Sequence, residues 1–241
     1  MSGHSKWATI KRAKAVTDSK RGAIFTKLGN IITIAAREKG GDPNANPSLR
    51  MAMDKARAVN MPKDNIERAI KRGTGELAGD AVEELYYEGI LPNNIQFIIK
   101  CLTDNKNRSA SMVRHALSKS GGSLGSVMWN FEQKGVVVIT KEELKNKNIN
   151  IDDFQLELID AGIDDFKSEE ELVLIYTRVE DLQKIKNNIE SKGLNIESAE
   201  IEYLPKEKQE ISAEQQEKIA KFTEELDDLE DVSDYYSNLV G

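Results

Sequence analysis

The chain has 241 residues, of which 39% are hydrophobic and 31% charged, a globular composition that is long enough for two or three compact units. Its one cysteine, Cys101, excludes an intramolecular disulfide framework and a cysteine-cluster metal site, and it fits a reducing compartment. No apolar run approaches the ~18 residues that a membrane span requires, and no apolar stretch near the N-terminus resembles a secretory signal.

The net charge of −7 conceals an asymmetry between the two ends of the chain. Residues 1–75 carry 16 Lys and Arg against 6 Asp and Glu, whereas residues 76–241 carry 18 against 35. Such a division is typical of a polyanion-binding module joined to an acidic region.

The basic character begins in the opening segment GHSKWATIKRAKAVTDSKRG, residues 3–22, which contains too little apolar material to form a core element. Its basic side chains are accompanied by one acidic residue, Asp18, and by an aromatic one, Trp7. We predict that Trp7 either stacks on a base or sugar or packs against the nearest helix.

Three amphipathic helices are predicted next. The first follows Gly22 and ends at the glycines 40–41, because its apolar residues recur at helical spacing. Asn46 and Pro47 favour the cap and first turn of the second helix. Pro62 and Asp64 start a third, which we predict to stop at Gly73 and Gly75; residues 23–73 therefore indicate a helical bundle with basic outer surfaces.

Strands then alternate with helices. EELYYEG and NIQFIIKCL indicate two strands joined by the turn LPNN, with Cys101 a buried, inert thiol on the apolar face. The residues TDN at 103–105 offer a cap for a helix through RSASMVRHALSKS, and SVMWNF is predicted to be a short strand.

A second unit is predicted from Gly135. The strands VVVIT, DDFK, ELVLIYT and LNIESAEIEYLP and the helices DDFQLELIDAG and VEDLQKIKNNIESKG follow the order β-α-β-β-α-β, which is that of ferredoxin-like folds. An acidic helix, ISAEQQEKIAKFTEELDDLEDV, and a short tail follow. We expect residues 205–241 to complete the unit left unfinished at residue 131.

Nothing in the sequence indicates catalysis. The two histidines, His4 and His115, have no ligands at metal-binding spacing around them, so we expect no metal. There is no P-loop or G-x-G-x-x-G motif, and GGSLGS at 121–126 is better explained as a helix cap and turn. The acidic run TEELDDLEDVSD is best explained as a solvated helix face, although it also suits competition with nucleic acid for the basic region.

The basic N-terminal third is the strongest functional signal, because Lys and Arg that neutralise phosphates release condensed counterions. The alternative is an ordinary solvated surface. The charges lie opposite the apolar stripes, so we predict a nucleic-acid interface. The predicted contacts are Lys6, Trp7, Lys11, Arg12, Lys14, Lys20, Arg21, Arg50, Arg57, Arg68, Lys71 and Arg72.

Several long strings resemble one known family. MSGHSKWATIKRAKAVTDSKRGAIFTKL, GGDPNANPSLRMAMDKARAVNMPKDNIERAIKRGTGE, LTDNKNRSASMVRHALSKSGGSLG and SVMWNFEQKG are closely similar to the YebC/PmpR family, whose relatives include the mitochondrial translational activator of cytochrome c oxidase subunit I. The resemblance runs nearly end to end and is densest over residues 1–76.

The resemblance implies a three-domain fold, no cofactor, and a DNA-binding transcriptional regulator. For some members it implies a ribosome-associated translation factor that relieves stalling. The family's GHSKW motif falls at residues 3–7, so we expect no cleaved presequence and a cytoplasmic location. Many members have Gly-Pro-Gly-Gly after YEG where this chain has Ile90–Asn94; because asparagine tolerates left-handed conformations, we expect the hairpin to survive.

Together these observations predict an α+β protein: an N-terminal helical bundle followed by two α/β, ferredoxin-like domains, one inserted in the other. The predicted domains are residues 1–76, residues 77–131 with 205–241, and residues 132–204. We expect a non-enzymatic nucleic-acid-binding regulator of transcription, with promoter DNA as partner and no membrane or small-molecule substrate. The alternatives are a translation factor bound to ribosomal RNA and a pure protein-interaction module.

Overall fold

The computed structural model describes residues 18–78 and 81–240. The chain divides into two compact units, the first formed by the residues through Met128 together with those from Glu207 onward, and the second by Trp129–Lys206. The second, here called the inserted unit, is thus an insertion in the first. The predicted division at residue 76 into three domains stays a prediction.

Three helices begin the first unit: α1 (Asp18–Lys39), α2 (Pro47–Ala58) and α3 (Lys63–Thr74). Asn46 caps α2 as predicted, since its side chain accepts a hydrogen bond from the Leu49 N–H at 3.0 Å. Helix α3 follows Pro62 and ends at Gly75, whose left-handed conformation forms its C-cap. Gly73 was predicted to stop this helix and instead lies within it. The helices share a core that includes Ile32, Leu49, Ala56, Ile66 and Ala69.

The first unit also contains a four-stranded antiparallel sheet. Its strands β1 (Glu83–Leu91), β2 (Ile95–Thr103), β3 (Ser123–Leu124) and β8 (Val232–Ser237) lie in the order β3-β1-β2-β8. The β1–β2 hairpin is intact, because Asn93 and Asn94 adopt the left-handed conformation (φ 64° and 57°) that the sequence predicts for this turn.

Two helices cover one face of this sheet. Helix α4 (Lys106–Lys119) starts at Asn105, whose side chain accepts from the Arg108 N–H, and helix α8 (Ala213–Asp228) follows the inserted unit. Phe97 of β2 meets Phe222 of α8 edge to face, with ring centroids 5.0 Å apart. Cys101 is buried in the same core, and burial raises the pKa of its thiol to about 12, consistent with the predicted inert role.

The inserted unit is a second antiparallel sheet with helices. Strands β4 (Phe131–Thr140), β5 (Asp165–Ser168), β6 (Leu172–Thr177) and β7 (Ser198–Pro205) lie in the order β5-β6-β4-β7. Helices α5 (Lys141–Asn146) and α6 (Ile151–Ala161) follow β4, and α7 (Leu182–Ser191) follows β6. This is the ferredoxin-like order; the first sheet has a different one, with its hairpin in the middle.

Two segments differ from their predicted structure. SVMWNF is not a strand of its own, because Met128–Asn130 forms a turn of 3₁₀ helix and Phe131 already begins β4. The turn is held by the Glu88 carboxylate, which accepts hydrogen bonds from the N–H groups of Val127 and Met128, each at 2.6 Å. The short tail contains β8, which pairs with β2.

The observed fold is thus mixed α+β: N-terminal helices followed by two antiparallel sheets packed with helices. Of the helices in the described part of the chain, none is both long and apolar enough to cross a membrane.

Candidate nucleic-acid interface

Helix α3 carries the densest group of predicted contacts. Its apolar residues Ile66 and Ala69 are buried, and the charged residues occupy the rest of its circumference. No side chain caps its first turn, where Pro62 occupies the N-cap position. Its position is therefore set by packing against α1 rather than by local capping.

Close contact between α3 and α1 depends on Gly73. A Cβ atom at this position would lie 2.3 Å from the Thr33 carbonyl oxygen and 2.7 Å from the Ala36 Cβ. One helical turn away, the Thr33 hydroxyl lies 3.1 Å from the Ala69 carbonyl oxygen and 2.8 Å from that of Gly29. The absence of a side chain at residue 73 thus allows the two backbones to approach.

The predicted cationic contacts divide by whether they have ionic partners. Arg57 pairs with Asp54 at 2.8 Å on α2, and Arg72 pairs with Asp104 at 3.1 Å. Within the described residues, Arg50, Arg68 and Lys71 are exposed and form no ion pair or side-chain hydrogen bond. These three side chains keep their full capacity to bind an anion.

Arg72 is part of a network that links α3 to the first sheet. Asp104 accepts hydrogen bonds from Arg72 and, at 3.0 Å, from Arg108 of α4. Arg108 also donates to the buried Asp231 at 2.8 Å. Although partial burial acts in the opposite direction, the two arginines hold the pKa of Asp104 below its ordinary value. The network fixes Arg72 at the edge of the helical region.

Other cations of the basic third are used inside the molecule. The ammonium group of Lys27 donates to the Asp227 carbonyl, and burial lowers its pKa against the opposing effect of Asp227, Asp228 and Asp234. Arg37 donates to the Val82 carbonyl at 2.7 Å. Counting charge along the sequence therefore overstates the number of cations that an external anion meets.

Two open grooves flank α3. One has a volume of about 260 Å³ and lies between α1 and α3; its lining residues are Phe25, Thr26, Gly29, Asn30, Thr33, Met61, Asn65, Arg68, Ala69 and Arg72. The other, of about 250 Å³, is lined by Asp64, Glu67, Arg68, Lys71 and Leu77. Arg68 contributes to both grooves, so it is the central cation of this surface.

The structure brings only part of the predicted site together. Arg68, Lys71 and Arg72 share α3, whereas Arg50 and Arg57 lie on α2. Lys20 and Arg21 lie in α1, but their side chains are outside the description. The predicted contacts Lys6, Trp7, Lys11, Arg12 and Lys14 fall outside the described residues.

Phe25 and Asn65 were not predicted as site residues. Phe25 was assigned no function, yet it is half-buried and lines the groove between α1 and α3. Asn65 lies three residues before Arg68, a spacing that places two helical side chains on one face. That spacing was available in the sequence; the participation of Phe25 depends on helix packing.

Comparison with known proteins places the whole chain in one family. Residues 5–76 match the family model described as the TACO1/YebC protein N-terminal domain, and residues 82–239 match that of the TACO1/YebC second and third domain. A probable transcriptional regulatory protein of Chlorobaculum tepidum is 48% identical, over 99% of this chain and 95% of its own length. One of Thermotoga maritima is 46% identical, over 99% and 93%.

A solved structure agrees with these matches. The crystal structure of a conserved hypothetical protein from Aquifex aeolicus superimposes with a TM-score of 0.77 at 38% sequence identity, over 92% of this chain and 91% of that one. The strings from which the resemblance was inferred thus identify it correctly: the chain belongs to the TACO1/YebC family.

Proposed function

We propose that this protein is a non-enzymatic regulator of transcription that binds duplex DNA through its N-terminal helical region. The observation that carries the proposal is that three of the predicted contacts, Arg50, Arg68 and Lys71, are exposed and have no ionic partner among the described residues. The names of the relatives, probable transcriptional regulatory proteins, agree with this function.

The physical basis is counterion release. DNA phosphates hold a condensed layer of cations, and a protein ammonium or guanidinium group that replaces them gains affinity from their release. A cation already paired with a carboxylate must first lose that partner. Arg68 and Lys71 carry no such cost, since the acidic residues beside them do not bind them.

The remaining predicted contacts extend this interface. Lys6, Lys11, Arg12 and Lys14, with Trp7, belong to the same proposal as a basic segment that follows the phosphate backbone. The sheets, in the proposed domains 77–131 with 205–241 and 132–204, orient the helical domain of residues 1–76 or bind a protein partner. The proposed location is the cytoplasm.

The test is a titration of the full-length protein with labelled random duplex DNA and with ribosomal RNA, at several salt concentrations. The variant Arg68→Glu/Lys71→Glu is compared with Lys145→Glu/Lys208→Glu, which changes the net charge equally at two exposed lysines outside the helical region. Each lost duplex phosphate contact reduces the slope of log affinity against log salt by about 0.9. We expect a loss of at least about tenfold in affinity for the first variant and a small loss for the second.

Equal losses in the two variants would contradict a localised interface and leave only a general charge effect. Preferential binding of ribosomal RNA at physiological salt would replace DNA by RNA as the target and favour a translation factor. Absence of salt-dependent binding to either would indicate a protein-interaction module. If duplex DNA binds best, selection of preferred sequences from a random pool then tests whether it regulates particular promoters.

A further inference from the structure

The groove between α1 and α3 differs chemically from a simple phosphate-binding surface. Apolar groups line much of it: the half-buried Phe25 ring, the Met61 thioether and the Ala69 methyl. Its volume of about 260 Å³ lies below the ~300–1,000 Å³ of pockets that enclose a whole small-molecule ligand. An open groove of this size suits one flat group held between an aromatic surface and a polar edge.

The hydrogen-bonding capacity of the groove is concentrated on the α3 side. Among the α1 residues, the hydroxyls of Thr26 and Thr33 bond to helix carbonyls, and the Asn30 amide nitrogen donates to the Leu102 carbonyl at 2.9 Å. On α3, neither the Asn65 amide nor the Arg68 guanidinium bonds to another side chain or to a carbonyl in the described residues. One neutral amide and one cation are thus free at the same rim.

These two groups match the two parts of a nucleotide. A primary amide offers a donor and an acceptor side by side, which is the pattern that reads the edge of a base, and a guanidinium binds a phosphate. An aromatic ring supplies a stacking surface for any base, because every base has a π-face. A paired base in duplex DNA cannot offer its face to such a groove; an unpaired base can.

Gly29 keeps the groove open on the α1 side. Gly29 lines the groove, and a Cβ at this position would meet only the Met61 Cε, at an ordinary contact distance of 3.8 Å, so a methyl group there is sterically tolerated. Glycine in a helix interior is destabilising relative to alanine, and here the space it leaves belongs to the groove.

We propose that the groove between α1 and α3 receives one unpaired nucleobase of a bound strand, with Phe25 as the stacking surface, Asn65 at the base edge and Arg68 at the adjoining phosphate. This inference rests on the proposed nucleic-acid binding and adds to it a preference for strand segments that are single-stranded, looped or locally opened.

The experiment fills the groove without altering any charge. Gly29→Leu in the full-length protein is titrated with a mixed-sequence single-stranded oligonucleotide and with a duplex, and Gly22→Leu is the control, since Gly22 is exposed on the same helix with open space around it. We expect Gly29→Leu to weaken single-strand binding by about tenfold, the loss of one stacked base, and to leave duplex binding and both salt slopes unchanged. Gly22→Leu leaves both affinities unchanged.

Two smaller substitutions test whether a loss of single-strand affinity occurs without the bulk of the leucine in Gly29→Leu. Gly29→Ala and Asn65→Ala are each expected to reduce single-strand affinity severalfold. Each should change the thermal unfolding temperature by no more than Gly22→Ala does. Equal loss of duplex and single-strand binding in these variants, or no loss of either, would overturn the groove proposal while leaving the cationic interface intact. A wild-type protein that binds neither probe would overturn both proposals.

Discussion

Helices α3 and α8 belong to the same compact unit and both carry lysine beside acidic residues, but they are stabilised in different ways. Helix α8 begins with a capping box in which Ser212 and Gln215 bind each other's backbone N–H groups, and it pairs Glu214 with Lys218 and Glu217 with Lys221, each at 2.8 Å. Helix α3 has no side-chain cap, and Arg68 and Lys71 have no ionic partner in the part of the chain that the structure describes.

The difference shows that spacing alone does not determine which cations are available. Glu67 and Lys71 have the same i,i+4 spacing as the pairs of α8, but the Glu67 carboxylate binds Lys63 at 3.4 Å instead. Exposed pairs of this kind contribute only about 0.3–0.5 kcal/mol, so small local preferences decide among them. Helix α3 depends on tertiary packing against α1 for its stability and leaves Arg68 and Lys71 without an ionic partner among the described residues, whereas α8 uses its charges to stabilise itself.

The largest expected effect comes from disturbing the packing on which α3 depends. Gly73→Ala places a methyl group 2.3 Å from the Thr33 carbonyl oxygen, so the helices must separate. We expect the free energy of unfolding to fall by about 2 to 3 kcal/mol, because overpacking at this contact outweighs the better helix propensity of alanine. Chemical denaturation measures this value.

Gly22→Ala is the matched control for that substitution. Gly22 lies in α1 with no atom within 4 Å of an added Cβ, so alanine should raise the free energy of unfolding by up to about 1 kcal/mol. Equal and small effects at residues 73 and 22 would show that α3 does not depend on close contact with α1.

The complementary change removes a local stabiliser from α8. Ser212→Ala deletes the hydroxyl that accepts from the Gln215 N–H and disrupts the capping box. We expect a loss of about 1 kcal/mol in the free energy of unfolding, which is the usual cost of an N-cap, and no change in nucleic-acid affinity. A loss of nucleic-acid affinity would show that the end of α8 takes part in binding.

A pH titration examines the link between α3 and the first sheet. Because Arg72 and Arg108 depress the pKa of Asp104, its contribution to stability is fully present above the ordinary pKa of 3.8 and is lost as pH falls through the lower, folded-state pKa. We expect Asp104→Asn to be less stable than the wild type at neutral pH. The difference should disappear at low pH, as measured by denaturation at a series of pH values; a difference that is constant with pH would contradict an ionic role.

Much of α3 and its surroundings follows from the sequence. Pro62 and Gly75 mark its ends, Asn105 caps α4, and the asparagines of the β1–β2 turn adopt the left-handed conformation that their residue type favours. Each of these features depends on residues close together in the chain, where capping and turn preferences act directly.

The details of the interface required tertiary structure. Arg72 meets Asp104, 32 residues away, and Lys27 meets the carbonyl of Asp227 across 200 residues. Gly73 suggested a helix end because glycine is a poor helix former. In the structure it lies within α3 and allows the close contact with Thr33 of α1. Neither the partners of these cations nor the space around a glycine is encoded in local pattern.

The smallest expected effect tests whether a cation binds DNA merely because it lacks an ion pair, or because it lies on α3. Glu214→Gln/Glu217→Gln removes the carboxylates that hold Lys218 and Lys221 and leaves two exposed lysines on α8 without their partners. If freedom from an ion pair were sufficient, duplex affinity and its salt slope would both rise markedly. We expect less than a twofold rise, because Glu224, Glu225, Asp227 and Asp228 on the same helix still repel phosphate. The measurement is a duplex titration at two salt concentrations, with Arg68→Gln/Lys71→Gln measured alongside. If the slope of log affinity against log salt increased by about 2 in the α8 variant, any unpaired cation of this protein would bind DNA and α3 would hold no special position.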